Sequence, residues 1–229
     1  MLSKIKGLLR FKGFKLFTRP YELNIVGLRS KSTVPNKFDD ELHVFYMVNA
    51  SKWEYHVFKI TTDPGTFWLN NPMQPQGTAI LAEGQYLNSH ALGLHRGQYK
   101  ALVQKSPITI MRDYDRNAVL DFYNGKKESG QYGINIHRAN KTGTTLSVDR
   151  NSAGCQVFAN ASDFELFLKM CEQHRSRFGN NFTYTLIDFR SVQRRRFRIT
   201  AYALGTAALV SLVGYQIYKT NKQTKLSHV

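Results

Sequence analysis

The chain is poor in cysteine, with two among 229 residues, at positions 155 and 171. Two thiols make no disulfide framework, and their spacing matches no common zinc pattern. Seven histidines are scattered without a His-x-x-x-His pair, so no metal site is expected. Acidic residues are missing from both ends. Residues 1–20 hold Lys4, Lys6, Arg10, Lys12, Lys15 and Arg19 with no acid, and residues 190–229 hold Arg190, Arg194, Arg195, Arg196, Arg198, Lys219, Lys222 and Lys225, again with none. The middle, 21–189, carries 18 basic against 16 acidic side chains, so the net charge of +16 belongs to the ends. A near-neutral centre argues against a nucleic-acid-binding globule, and no specific nucleic-acid binding is expected. Basic ends beside apolar segments fit an anionic lipid surface better. The first twenty residues also lack an apolar run long enough for a secretory signal.

What is present points to a packed domain. A content of 42% hydrophobic and 13% aromatic residues excludes general disorder, and the length suits one domain with appendages. Three segments are expected. In residues 1–20, Leu2, Ile5, Leu8 and Leu9 keep helical spacing among the basic residues, as in an amphipathic helix at a membrane surface; a mitochondrial presequence has similar composition, and a flexible basic arm is the alternative. Residues 21–190 read as a mainly β domain, a sandwich or sheet with one late helix. Glu22–Arg29, Leu42–Val48, Glu54–Thr61, Ile108–Met111 and Phe182–Phe189 are the candidate strands, rich in β-branched and aromatic residues. The run Ser162-Asp163-Phe164-Glu165 has capping-box form, and Phe164, Phe167, Leu168 and Cys171 follow at helical spacing, which makes Cys171 a core side chain. Residues 191–229 supply an arginine cluster, an uncharged stretch Ile199–Tyr218 and a basic tail. Twenty residues without a charge predict a transmembrane helix, flanked by Arg194–Arg198 and Lys219. A membrane anchor is therefore expected.

The chemistry is concentrated between Tyr132 and Phe158, YGINIHRANKTGTTLSVDRNSAGCQVF. His137 ends a short alternating stretch, a turn-rich loop follows, and Ser152-Ala153-Gly154 leads into Cys155. A thiol at its usual pKa of about 8.5 is mostly protonated near neutrality, so a cysteine nucleophile needs a base or cation beside it. A histidine closing a neighbouring strand is such a base.

This block resembles the catalytic signature of the L,D-transpeptidase (YkuD-type) family: a histidine closing a strand, about fourteen to seventeen loop residues, then Ser/Thr-His-Gly-Cys. His137, the loop Arg138–Asn151 and Ser152-Ala153-Gly154-Cys155 fit it with one substitution, and the resemblance extends over roughly residues 40–189. Gly77–Tyr86 stands where the family has a Thr-Pro-x-Gly loop. Two departures alter the substrate-positioning shell: Ala153 replaces the second histidine, and Val157 replaces the usual Asn or Arg. The resemblance implies Cys155 as nucleophile, His137 as base, the backbone carbonyl of Arg138 orienting the imidazole, and the amides of Gly154 and Cys155 as oxyanion donors. Tyr132, Asn135, Ser152 and Gln156 are the expected substrate contacts. It further implies a peptidoglycan stem peptide as substrate, no cofactor, transfer or hydrolysis as outcome, and a bacterial envelope or bacteriophage virion as setting. The alternative is a non-enzymatic structural protein of a virion or envelope with an inactive domain of this kind.

Overall fold

The structure, a computed structural model, describes residues 1–122 and 126–193. Residues Met1–Asp188 form one compact unit, and the remainder of the chain falls in a second. Strand β1 (Asn24–Arg29) lies between β2 (Asp40–Met47), antiparallel, and β11 (Phe182–Asp188), parallel. The hairpin of β2 with β3 (Trp53–Thr61) runs in unbroken register from Asp40 opposite Ile60 to Met47 opposite Trp53. Asn49 closes its turn, its Oδ1 accepting from the amides of Ser51 and Lys52, the local bonding that suits Asn to turns.

Further along are α2 (Thr66–Asn70), β4 (Thr78–Leu81), β5 (Gly84–His95), β6 (Tyr99–Gln104), β7 (Ile108–Asp113), β8 (Lys127–Gly130), β9 (Ile136–Arg138) and β10 (Gln156–Phe158). Eight strands close into a barrel in the order β1-β11-β5-β6-β9-β10-β3-β2, and β4-β7-β8 form a separate three-stranded sheet. The expected sandwich or sheet is thus corrected to a closed barrel, which leaves none of those eight strands with an unpaired side. The strand expected over Ile108–Met111 belongs instead to the small sheet.

The late helix, α3 (Ala161–Phe178), covers β9 and β10. Its cap is Asn160, whose side chain accepts from the amide of Asp163 at 3.0 Å, so Ser162 lies one turn-position inside the helix and the expected capping box is displaced. Phe164, Phe167, Leu168 and Cys171 point into the core with Phe158, Ile136, Leu102 and Ile60. Phe158 meets Phe164 and Phe167 at ring separations of 5.3 and 5.1 Å, and each such burial contributes about 1.5–3 kcal/mol.

The N-terminal helix α1 (Leu2–Lys12) is part of the same unit rather than a separate segment. Its apolar stripe, Ile5, Leu8 and Leu9, is buried, while the Lys6 ammonium lies 3.4 Å from the centre of the Trp53 ring and Lys12 pairs with Glu83 at 2.8 Å. Gly13, at φ 74°, ends it in the left-handed conformation that glycine favours. The apolar face read as a membrane contact is covered by the chain itself.

The expectation of a transmembrane helix is corrected as well: among the described residues no helix is long and apolar enough to cross a membrane. The stretch Ile199–Tyr218 on which that expectation rested lies outside the described residues.

One close approach organises the barrel interior. An alanine methyl at Gly27 would fall 2.0 Å from the Tyr184 hydroxyl and 3.0 Å from its ring carbon. That hydroxyl donates to the Gln156 side-chain oxygen at 2.7 Å, both groups being fully buried. Gly27→Ala is expected to destabilise by about 1–3 kcal/mol through overpacking. Tyr184→Phe should lose about 1–3 kcal/mol by orphaning the Gln156 amide. The double variant should lose less than the two losses added, by about 1 kcal/mol, because removing the hydroxyl makes room for the methyl. Urea unfolding of the four chains measures this, and strict additivity would contradict the packing described.

Candidate active site

Two ladders place the candidate residues. Strands β9 and β10 pair in parallel, Gln156 opposite Ile136 and Val157 opposite His137, and the Gln156 amide donates to the Asn135 carbonyl at 2.9 Å. Cys155 precedes β10 by one residue, so strand alternation puts it on the same face as Val157 and His137. That face is turned away from the barrel interior: Val157, Ala159 and the partly exposed Cys155 pack with Phe38 and Val148, whereas Ile136 and Phe158 are in the central core.

The approach to Cys155 is held tightly. Gly154 has φ 117°, and a methyl there would lie 2.3 Å from the Ala79 carbonyl oxygen, so only glycine fits. Ser152 closes the turn, its hydroxyl donating to the Cys155 carbonyl at 2.8 Å and accepting from the Gly154 amide at 3.1 Å. The Gln156 side chain donates to the Gly154 carbonyl at 3.3 Å and is anchored at its other end by Tyr184. The other wall, Gly130–Asn135, is pinned by Gln104: its side-chain oxygen accepts from the amides of Tyr132 and Ile134, and its nitrogen donates to the Gly130 carbonyl at 2.8 Å.

The imidazole of His137 is held by the backbone carbonyl of the next residue. Its Nδ1 lies 2.9 Å from the Arg138 carbonyl, an oxygen that can only accept, so Nδ1 carries the proton and Nε2 the lone pair. The Tyr99 hydroxyl adds contacts to the same Nδ1 at 3.2 Å and to the Arg138 carbonyl at 3.3 Å. The Cys155 thiol, however, donates to the Gly133 carbonyl at 3.4 Å and receives the Asn135 amide at 3.5 Å. Among the described residues no hydrogen bond joins it to His137. The two side chains share a face without touching as a bonded pair.

Electrostatics agree with a neutral resting pair. Burial lowers the His137 pKa to about 3, with His95 and then Arg96 acting in the same direction against the Arg138 carbonyl. Burial raises the Cys155 pKa, opposed by the Asn135 amide and by Arg96. Desolvation wins in both cases, so thiol and imidazole are uncharged near neutrality.

The other expected contacts divide. Tyr132 and Ala153 line a cavity of about 340 Å³ together with Trp68, Met73, Thr78 and Arg112, the size range of small-ligand sites. Arg112 reaches Glu128 at 3.3 Å and lies over the Tyr132 ring. Ser152 and Gln156 are buried and bonded within the loop, so they shape the site rather than face a ligand. The Gly154 amide is occupied by Ser152, and among the described residues the Cys155 amide, the other of the expected oxyanion pair, makes no backbone hydrogen bond. Asn135 bridges inward: its Oδ1 accepts from the Gln104 amide at 2.9 Å and its Nδ2 lies 3.1 Å from Nδ1 of His95.

His95, Arg96 and Tyr99 were not singled out from the sequence. They sit at the β5–β6 hairpin, where Arg96 and Gly97 both have positive φ and the Gln98 amide bonds to the His95 carbonyl at 2.9 Å. The signal available was the His-Arg-Gly-Gln run, a tight turn flanked by alternating residues. Among the described residues no group of three His, Cys, Asp or Glu side chains is placed to hold a metal ion.

A neutral pair makes a clear kinetic statement. Iodoacetamide alkylation of Cys155 should still be accelerating above pH 9, because the raised thiol pKa delays thiolate formation. A plateau between pH 5 and 8, the mark of a preformed thiolate–imidazolium pair, would contradict it.

Compared as a whole, the chain matches no family model, no curated protein and no solved structure, which leaves the chemistry of the site itself as the basis for an assignment.

Proposed function

We propose that this chain is a cysteine-dependent acyl-transfer enzyme, with Cys155 as nucleophile and His137 as general base. The observation that carries the reading is the His137 tautomer: Nδ1–H held by the Arg138 carbonyl leaves an unprotonated Nε2 on the face and neighbouring strand of a partly exposed thiol. The substrate class rests on the resemblance of the His137–Cys155 block to L,D-transpeptidases, and is the amide of a peptidoglycan stem peptide. The cavity beside Ala153 and Tyr132 is where the peptide would lie.

In this reaction the thiol exchanges the Gly133 carbonyl for Nε2 of His137. The S–H proton passes to Nε2, sulfur bonds to the amide carbon, and the carbonyl electron pair moves to oxygen, which takes the Cys155 amide proton as a hydrogen bond. Collapse breaks the C–N bond, and the His137 proton leaves with the amine. A thioester on Cys155 remains. An incoming amine gives a cross-link; water gives hydrolysis.

The absence of a Cys155–His137 hydrogen bond among the described residues favours a second reading, a domain of this kind that has lost activity. Incubating the full chain with muropeptides and, separately, with a carbapenem decides between them. The expected result is turnover and a carbapenem adduct located by mass on Cys155, both abolished in Cys155→Ser and reduced at least about a hundredfold in His137→Ala. Cys171→Ser should keep most activity, since that thiol is fully buried in the core. Adduct on neither cysteine, with no muropeptide change, supports the inactive reading and sinks the proposal.

A further inference from the structure

The site holds a second imidazole. The rings of His95 and His137 stack at 4.0 Å between centres with 24° between planes. Their tautomers are opposite. Asn135 has its side-chain oxygen committed to the Gln104 amide, so its Nδ2–H donates to Nδ1 of His95, and the His95 proton resides on Nε2. His137 has its proton on Nδ1. The pair therefore presents one ring with an acceptor Nε2 and one with a donor Nε2–H.

Both Nε2 atoms are available. Among the described residues neither makes a hydrogen bond, and the buried polar side-chain atoms without partners are Arg29 Nη1, His43 Nε2 and Asp113 Oδ1. His95 and His137, each almost wholly buried as residues, thus keep Nε2 in contact with accessible space. Asn135 links the ring to the nucleophile, its amide on the Cys155 sulfur at 3.5 Å and its side chain on His95 at 3.1 Å.

A donor is also what the site lacks. Acyl transfer places negative charge on the carbonyl oxygen, and two preorganised donors usually meet it. The Gly154 amide is occupied by the Ser152 hydroxyl, and among the described residues the Cys155 amide is left as the one open donor of that pair. We propose that His95 is a catalytic residue that supplies the second oxyanion donor from Nε2–H. The inference rests on the acyl-transfer reading. In the step written above, the electron pair arriving on oxygen is received by the Cys155 amide and by Nε2–H of His95. No proton leaves His95, and His137 alone carries the proton between sulfur and amine. Burial, with Arg96, lowers the His95 pKa, which keeps it a neutral donor rather than a cation repelling the His137 imidazolium that forms.

The test compares two reagents on the full chain. Acylation by p-nitrophenyl acetate develops an oxyanion; alkylation by iodoacetamide does not. His95→Leu and His95→Phe, the latter keeping a ring against His137, should lower Cys155 acylation about a hundredfold while alkylation stays within about threefold. His95→Gln, whose amide N–H takes the place of Nε2–H, should recover acylation to within about tenfold of the parent. Equal losses in both reactions assign His95 a structural role and overturn the inference. So does unchanged acylation in His95→Leu, or a His95→Gln chain as slow as His95→Leu. A parent chain alkylated at Cys155 but never acylated removes the acyl-transfer reading and this inference together, which separates the two failures.

Discussion

The hydroxyl of Tyr184 occupies the space that a side chain on Gly27 would need, and the position of the nucleophile follows from it. With β1 bare at that point, the tyrosine from β11 reaches across the barrel and fixes the Gln156 amide. Gln156 in turn holds the Gly154 carbonyl, and the Gly154 backbone, pressed against the Ala79 carbonyl, aims Cys155 outward. A buried tyrosine hydroxyl without a partner is unfavourable by a few kcal/mol, and so is a buried amide; here each satisfies the other. The result is a Cys155 loop braced from inside the barrel, with the thiol partly exposed on the outer side.

On that outer face, desolvation outweighs charge attraction. Arg96 favours thiolate, yet burial acts more strongly on both Cys155 and His137, and the resting site is a neutral thiol beside a neutral base. Such a site has little reactivity toward chance electrophiles, because the proton must move as the bond to sulfur forms. In the proposed reaction, specificity follows from the same arrangement: a carbonyl that fits the donors lowers the barrier, and one that does not finds a protonated cysteine. In that proposed reaction the stacked imidazoles of His95 and His137 divide the work that a single cationic histidine would otherwise combine.

Much of this was legible in the sequence wherever periodicity and punctuation were strong. Whereas His137 and Cys155 were paired only through the family resemblance, the strands around Leu42–Val48 and Glu54–Thr61 and the apolar ladder of Phe164, Phe167 and Cys171 follow from local pattern. The longest strand, β5, did not, because Gly84–His95 is built from Gly, Asn, Ser and His with few β-branched residues, and its alternation is blurred where both faces are half-covered. Missing β5 meant missing the hairpin that delivers His95 and Tyr99. Helix α1 was misread for a different reason: an amphipathic stripe has the same appearance whether lipid or protein covers it. Gln156 and Ser152 looked like ligand contacts since polar residues beside a cysteine carry no mark of the direction in which they point. Closure of the barrel depends on the parallel pairing of β1 with β11, a contact between segments more than 150 residues apart that no local pattern encodes.

That pairing sets an order of events during synthesis. Strand β1 emerges early and can zip to β2 at once, but its other edge has no partner until residues 182–188 are made. At about 5–20 residues per second the wait is on the order of ten to thirty seconds. Throughout that interval Gln156 has no Tyr184 to hold it, and the Cys155 loop lacks its brace. The ribosome therefore releases the thiol into a finished site only at the end of the domain, while the unpaired edge of β1 is the stretch that a nascent-chain chaperone has most reason to cover.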